Sequence, residues 1–308
     1  MAEVSYDFMG ERVRFCVGEE RSDPFSVRIR QSWKPDTHTL VAAQILRPED
    51  IFLDLGANYG AFCIPVAKKT GARGYAVEAL ISNIPILHDS IIANDLQGKL
   101  EWILGAITDH DGEVRIAGAS AYGTVGDKGH RVLSYSLDGL VEDFQIKNVH
   151  VVKMDIEGCE MDALAGADAF FKDNPSVTFI FEANAAHCIS RGYAPQDLIR
   201  YFEEKDRIIY LAKGGHLVRR SSLDFQESGV SDYIASPYPL EGVVDGFKFE
   251  DFSNDFRISE TIRALSVMKP GYGQAAAAQI AFAPDFIRNH AEIVKFVDEV
   301  RARQASHL

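Results

Sequence analysis

Five carboxylates and one imidazole stand where chemistry could be done. Asp54 lies near the end of the apolar run Ile51–Leu55, and Glu78 closes the run 74–77. Asp155 follows Val149–Met154, with Glu157 two residues on, and Glu182 follows the run 177–181. A carboxylate in an apolar strand is costly without a partner, and ligands of open α/β sheets gather beyond the carboxyl ends of the strands. Glu78, closing the second strand of a mononucleotide-binding half, is placed to accept hydrogen bonds from ribose hydroxyls. Asp155 and Glu157 suit a ligand ammonium or a substrate hydroxyl, with Asp155 as a general base. They suit equally well a helix start, Asp155 as cap with Glu157 and Glu160 near the positive end. Glu182 is aimed at the same crevice by its strand. His187 is either a neutral imidazole that accepts a hydroxyl proton or a surface histidine in a loop. His38 and Tyr122 are weaker candidates and read as structural.

These residues need a frame, and it starts with residues 51–71: a buried strand, a tight turn Gly56-Ala57-Asn58-Tyr59-Gly60, and an opening helix. An apolar run ending at glycine fits a parallel strand covered on both faces. Glycine at the turn allows a sharp bend or a close ligand approach. Further strands are expected at 74–77, 100–107, 113–117, 149–154 and 177–181, with helices at 37–46, 82–95, 134–143, 157–171 and 195–204. Runs 207–211 and 216–218, around Lys213-Gly214-Gly215, read as a closing antiparallel hairpin. The alternation predicts a doubly wound α/β sheet, into which the closing hairpin puts an antiparallel strand. Residues 119–130 are glycine-rich and polar, hence a loop suited to substrate contact. Alternating residues on either side of Met9-Gly10-Glu11 predict an N-terminal β-hairpin lying over the core.

Composition narrows the class. The 308 residues include 32 basic and 45 acidic side chains, a net charge of −13 that argues against contact with nucleic acid or anionic lipid. Cys16, Cys63, Cys159 and Cys188 are widely spaced and read as reduced thiols. No signal-peptide pattern or membrane-length apolar run is evident, so a cytoplasmic protein is expected.

The segments Leu55-Gly56-Ala57-Asn58-Tyr59-Gly60, Asn83, Asn94-Asp95-Leu96, Ser136-Leu137-Asp138 and Lys153-Met154-Asp155-Ile156-Glu157-Gly158-Cys159-Glu160 stand in an order that resembles FkbM-type methyltransferases. The resemblance covers about residues 40–213. Ala79 departs from it, because the family commonly has proline after the acid. It implies a seven-stranded Rossmann-like sheet, S-adenosylmethionine as cofactor, and methylation of hydroxyl oxygens, often of sugars or polyketide-like products. Residue by residue, it implies Asp54, Gly56, Ala57, Asn58 and Gly60 at the methionine part of the cofactor. Glu78 would take the ribose, Asn83 and Asn94 would shape the adenine side, and Ala106, within Gly105-Ala106-Ile107, would border the ring. Asp155, Glu157 and Gly158 would sit beside the sulfonium. A divalent metal bridging Asp155 and Glu157 to a diol would have too few ligands and is not expected.

Three regions are expected: a hairpin or lid over 1–35, a methyltransferase domain over 36–221, and an irregular, then helical appendage over 222–308. The appendage would contain helices at 259–268 and 274–283 and a final amphipathic helix, serving to cover the core, close the site or form a homodimer. The expected partner is a small-molecule or glycan substrate. The alternatives are a catalytically silent S-adenosylmethionine-binding scaffold and a nicotinamide dehydrogenase. The latter lacks the Gly-x-Gly-x-x-Gly spacing.

Overall fold

The computed structural model describes residues 2–18, 23–118, 123–224, 229–250, 258, 261–263, 265–266, 273–283 and 285–305. Strands β1 (Ala2–Phe8) and β2 (Glu11–Val17) pair antiparallel across Met9 and Gly10, both at positive φ. Phe8, Val13, Phe15 and Val17 are buried from this hairpin, and the Trp33 ring packs 5.1 Å from that of Phe15. Region 1–35 also carries a helix that the sequence reading lacked, α1 (Pro24–Ser32). Pro24 opens it, and the Asp23 carboxylate caps it by accepting from Phe25 N and Ser26 N at 3.1 and 3.3 Å. Helix α2 (Thr37–Ile45) follows.

The central elements then alternate: β3 (Ile51–Leu55), α3 (Cys63–Thr70), β4 (Arg73–Glu78), α4 (Ile84–Ala93) and β5 (Leu100–Leu104). Short strands β6 (Ala106–Ile107), β7 (Gly112–Ala117), β8 (Thr124–Gly126) and β9 (His130–Tyr135) form a separate four-stranded sheet. Ser134 therefore sits in a strand, and α5 (Leu137–Asp143) begins only after the Ser136 cap. Next come β10 (Val149–Met154), α6 (Glu160–Ala165), α7 (Asp168–Asp173), β11 (Thr178–Asn184), α8 (Ala185–Ser190), α9 (Pro195–Glu203), β12 (Ile208–Lys213) and β13 (His216–Arg220). Strands β14 (Val230–Ser236) and β15 (Lys248–Glu250) complete the main sheet.

That sheet has nine strands in the order β15-β13-β12-β14-β11-β10-β3-β4-β5, in place of the seven expected. Pairing is parallel from β5 to β11. The parallel block ends at β14, which lies antiparallel between β11 and β12, and β12 is in turn antiparallel to both β14 and β13. The β12–β13 hairpin stands outside it, toward the edge. The sheet thus continues beyond residue 221, into a stretch that shows no pattern in the sequence. The reason is burial: Tyr233, Ile234 and Ala235 are all buried, so β14 lacks the alternation of a half-exposed strand.

Two apolar layers cover the sheet. One joins the hairpin, α2 and α3. The other is aromatic, with Phe181 stacked on Phe202 at 4.9 Å and on Tyr233 at 5.4 Å. Toward the C-terminus, helices Gly273–Phe282, Asp285–Arg288 and Ala291–Ala305 pack on one another around Ala276, Ile280, Ile287 and Ile293. The described residues of the stretch 259–268 are helical, and its remainder lies outside the described residues. Among the described residues no helix is long and apolar enough to cross a membrane.

Candidate functional site

A cavity of about 530 Å³ opens where β3, β4, β10 and β11 end and the antiparallel β14 begins, beneath α1 and the start of α2. Its two walls are built differently.

The first wall comes from β3 and β4. After Leu55 the chain turns through Gly56 at φ 83° and Asn58 at φ 50°. A Cβ on Gly56 would lie 1.9 Å from the Asp155 carbonyl oxygen, so only glycine lets the turn pass under β10. The Gly56 and Ala57 amides both donate to Val77 O at 2.9 Å. Glu78 Oε2 accepts from Asn58 N at 2.7 Å, and Oε1 accepts from Leu80 N at 2.7 Å and from Asn83 Nδ2 at 3.3 Å. Burial still pushes the Glu78 carboxyl up to about 7 against these three hydrogen bonds. Gly105, Ala106 and Ile107 continue the wall as a small, apolar shelf.

The second wall is charged. Lys153, Asp155 and Glu157 come from β10 and its end, Glu182 from β11, Asp232 from β14, and His38 from α2. Lys153 Nζ lies 3.0 Å from Asp155 Oδ2 and 3.8 Å from Asp54 Oδ1. Burial alone would lower its pKa, but Asp155 and Asp54 more than offset this and raise it. Glu157 sits at φ 55° in a turn pinned by Glu160, whose Oε1 accepts from Ile156 N at 3.1 Å. The Tyr193 hydroxyl lies 3.0 Å from Glu160 Oε2 on the far side. Burial, with Asp155 and Glu160 adding repulsion, pushes Glu157 up to about 7, and His187 Nδ1 approaches it to 2.9 Å without hydrogen-bond alignment. Burial and the charges of Asp155, Asp232 and Glu157 push Glu182 up to about 9. Glu182 therefore holds its proton at neutral pH.

Several expected site residues are brought together here and several are not. Gly56, Ala57, Asn58, Glu78, Ala106, Asp155, Glu157, Glu182 and His187 line the cavity. Asp54 stands behind the wall, 0 % exposed. Its neighbours are Lys153 and the Cys63 thiol, and burial raises its carboxyl above the ordinary value while these two pull it down. Neither of its oxygens meets a donor in good geometry. Asp54 therefore faces Lys153 and stands one layer behind the cavity surface. Gly60 packs against Ile64 and Leu87, Gly158 makes room for His187, and Asn83 reaches the cavity only through Glu78. Asn94 lies elsewhere altogether. It accepts from Arg14 N at 2.9 Å and donates to Arg14 O at 2.6 Å and Ser90 O at 2.7 Å, fastening β2 to α4. Of the loop 119–130, residues 119–122, Tyr122 among them, lie outside the described residues, while Gly123 and Val125 line the cavity.

The FkbM methyltransferase domain model matches residues 54–209, which span both walls except for His38 and Asp232. The chain belongs to the FkbM methyltransferase family. Among curated proteins none matches it. Solved structures similar to it include precorrin-6y C5,15-methyltransferase from Geobacter metallireducens, at 10 % identity and TM-score 0.41, covering 66 % of this chain and 87 % of that one. Another is M. capricolum TrmK with S-adenosyl-homocysteine, at 12 % identity and TM-score 0.43, covering 86 % and 98 %. A third is an rRNA methylase from Streptococcus thermophilus, at 10 % identity and TM-score 0.40, covering 67 % and 98 %.

The residues of this FkbM chain fit S-adenosylmethionine. Asn58 Oδ1 is buried in the wall without a hydrogen-bond partner, which suits a ligand donor. Glu78 offers a carboxylate one strand over, and the Gly105–Ile107 shelf with Leu80 and Ile116 is apolar and narrow enough for a base. Among the described residues no group of three or more His, Cys, Asp or Glu is arranged to hold a metal ion. Reasoning from sequence missed Lys153, which stands inside the family motif but reads there as a strand residue. It also missed Asp232, and it took His38 as structural. No signal in the sequence links His38 and Asp232, whose proximity exists only once β14 is in the sheet.

Proposed function

We propose that this protein is an S-adenosylmethionine-dependent O-methyltransferase acting on a hydroxyl of a sugar, glycan or polyketide-like small molecule. The observation that carries the reading is the meeting, in one cavity, of a nucleoside-type wall ending in Glu78 with a wall of strand-end acids at Asp155, Glu157 and Glu182. When bound, the cofactor supplies a methyl group already activated on a cationic sulfur. The protein's share is alignment and exclusion of water. Glu78 and Asn58 would hold the ribose and amino-acid ends, and the acids of the second wall would lie toward the sulfonium and the entering hydroxyl. Phe25, Ile29 and Trp33 roof the cavity with apolar surface, which suits one face of a sugar ring. Asp36 and protonated Glu182 offer an acceptor and a donor for its neighbouring hydroxyls.

Calorimetry with S-adenosylhomocysteine tests the cofactor half of this reading, and absence of binding to folded protein overturns it. Incubation of cell extract with a labelled methyl donor tests the acceptor half. The expected product carries the label on oxygen, and label on nitrogen or carbon overturns the proposed chemistry.

A further inference from the structure

We propose that His38, oriented by Asp232, is the base that takes the proton from the acceptor hydroxyl. The proposal rests on the methyl-transfer reading above. His38 lines the cavity from the first turn of α2, and its buried Nδ1 faces Asp232 Oδ2 at 3.5 Å, an ion-pair distance without hydrogen-bond alignment. A carboxylate facing Nδ1 favours the tautomer with its proton there and leaves Nε2 as the basic nitrogen. Asp232 is set opposite Glu182 by the antiparallel register of β14 on β11. The charged groups around the ring are Asp232 from β14, Lys153 from β10 and Asp36 at the cap of α2, with the Phe62 ring at 6.1 Å before α3. Burial alone would lower the His38 pKa, but Asp232 outweighs it and the value lies above the ordinary one. At Asp232, burial pushes the carboxyl up, but His38, Lys153 and Arg28 together hold it below its ordinary value. The pair is a stronger base than free imidazole.

The other groups on this wall are less suited. Glu182 already carries a proton at neutral pH, with its value near 9. Asp155 is engaged by Lys153 at 3.0 Å. The His187 side chain is 32 % exposed against 7 % for His38, so water competes at His187 and is largely kept from His38. In the proposed step the acceptor oxygen bonds to the methyl carbon as its proton passes to His38 Nε2, and the carbon–sulfur electron pair stays on sulfur. The imidazolium that forms faces Asp232, and the positive charge lost at sulfur reappears at His38.

Two measurements on the full chain test this. The first is NMR titration of ¹⁵N-histidine-labelled protein loaded with S-adenosylhomocysteine, which needs no acceptor. His38 should show the Nδ1-protonated neutral tautomer, and Asp232→Asn should lower its midpoint by about one pH unit. An Nε2-protonated ring, or a midpoint unmoved by Asp232→Asn, overturns the proposal. The second uses the acceptor recovered from extract. His38→Gln should lower kcat by about 10²- to 10⁴-fold with S-adenosylhomocysteine affinity held within about twofold. Asp232→Asn should move the acidic limb of the kcat–pH profile to lower pH, a shift that a merely structural role would not produce. Wild-type kcat in His38→Gln, with product still formed, overturns the base role alone. Wild-type protein that binds S-adenosylhomocysteine but labels nothing overturns the methyl-transfer reading, and the base role with it.

Discussion

The two walls of the cavity solve the same problem, holding carboxylates in a buried place, by different means. On the β3–β4 wall Glu78 is met by two backbone amides and one side-chain amide, all fixed by the turn and the start of α4. On the β10–β11–β14 wall four acids face one lysine and two histidines, and balance depends on charge. The hydrogen-bonded wall is rigid and tolerates little change of shape. The charged wall tolerates changes of shape but not changes of charge. A cationic ligand matters only to the second kind.

Removing the central cation is the severest way to break this contrast. Lys153→Met should destabilise the protein by about 3–5 kcal/mol, because Asp54 and Asp155 are left without their partner. Chemical denaturation reads this directly, and a loss below about 1 kcal/mol would mean that water already compensates the acids. On the other wall, Gly56→Ala should cost about 3 kcal/mol through its clash with the Asp155 carbonyl and its φ of 83°. Calorimetry should find S-adenosylhomocysteine binding lost in the same variant. Glu78→Gln keeps the shape and removes the charge. It should weaken that binding by about 10- to 100-fold with little loss of melting temperature, since hydrogen bonds to charged groups contribute about 1.5–3 kcal/mol.

Asn94→Ala sharpens the comparison from outside both walls. It removes two hydrogen bonds between β2 and the end of α4 and one within α4, so stability should fall by about 1–2 kcal/mol. Cofactor affinity should stay unchanged, and a fall in affinity would put Asn94 back in the site. A further effect concerns pH. Glu182 has its folded value near 9 against an ordinary 4.5, so between these values the folded state holds more proton than the unfolded state. Its contribution to stability is full below about 4.5 and is lost as pH rises toward 9. Glu182→Gln should flatten that slope and stabilise the cofactor-free protein at pH 9, as read by thermal melts across pH. An unchanged slope would show that Glu182 is ionised throughout.

What was legible in the sequence follows the same division. Glu78 announces itself by closing a short apolar strand, and the turn from Gly56 to Gly60 by its glycines, because local chain geometry decides their places. Asp155, Glu157 and Glu182 are legible for the same reason. Asn94 was not, since its partner Arg14 is 80 residues away in sequence and only tertiary packing joins them. The strand position of Asp54 was legible, but its pairing with Lys153 in the neighbouring strand was not, because only the sheet register joins them. His38 lies in a helix that was expected, but its partner Asp232 lies in β14, whose burial erases the usual periodicity. Charge balance is collective, and single positions do not display it.

The place of β14 has a consequence for how the molecule is made. On the ribosome, the neighbours of this strand, β11 and β12, emerge first and must wait for residues 230–236 to fill the slot between them. Until then both present bare edges, which invite pairing with other chains. Asp232, carried on that late-arriving strand, reaches His38 only after almost 200 residues of intervening chain have emerged, as 232 minus 38 gives. A chain that stops at residue 221 can therefore hold the whole of the recognisable motif and still lack one side of its reaction chamber.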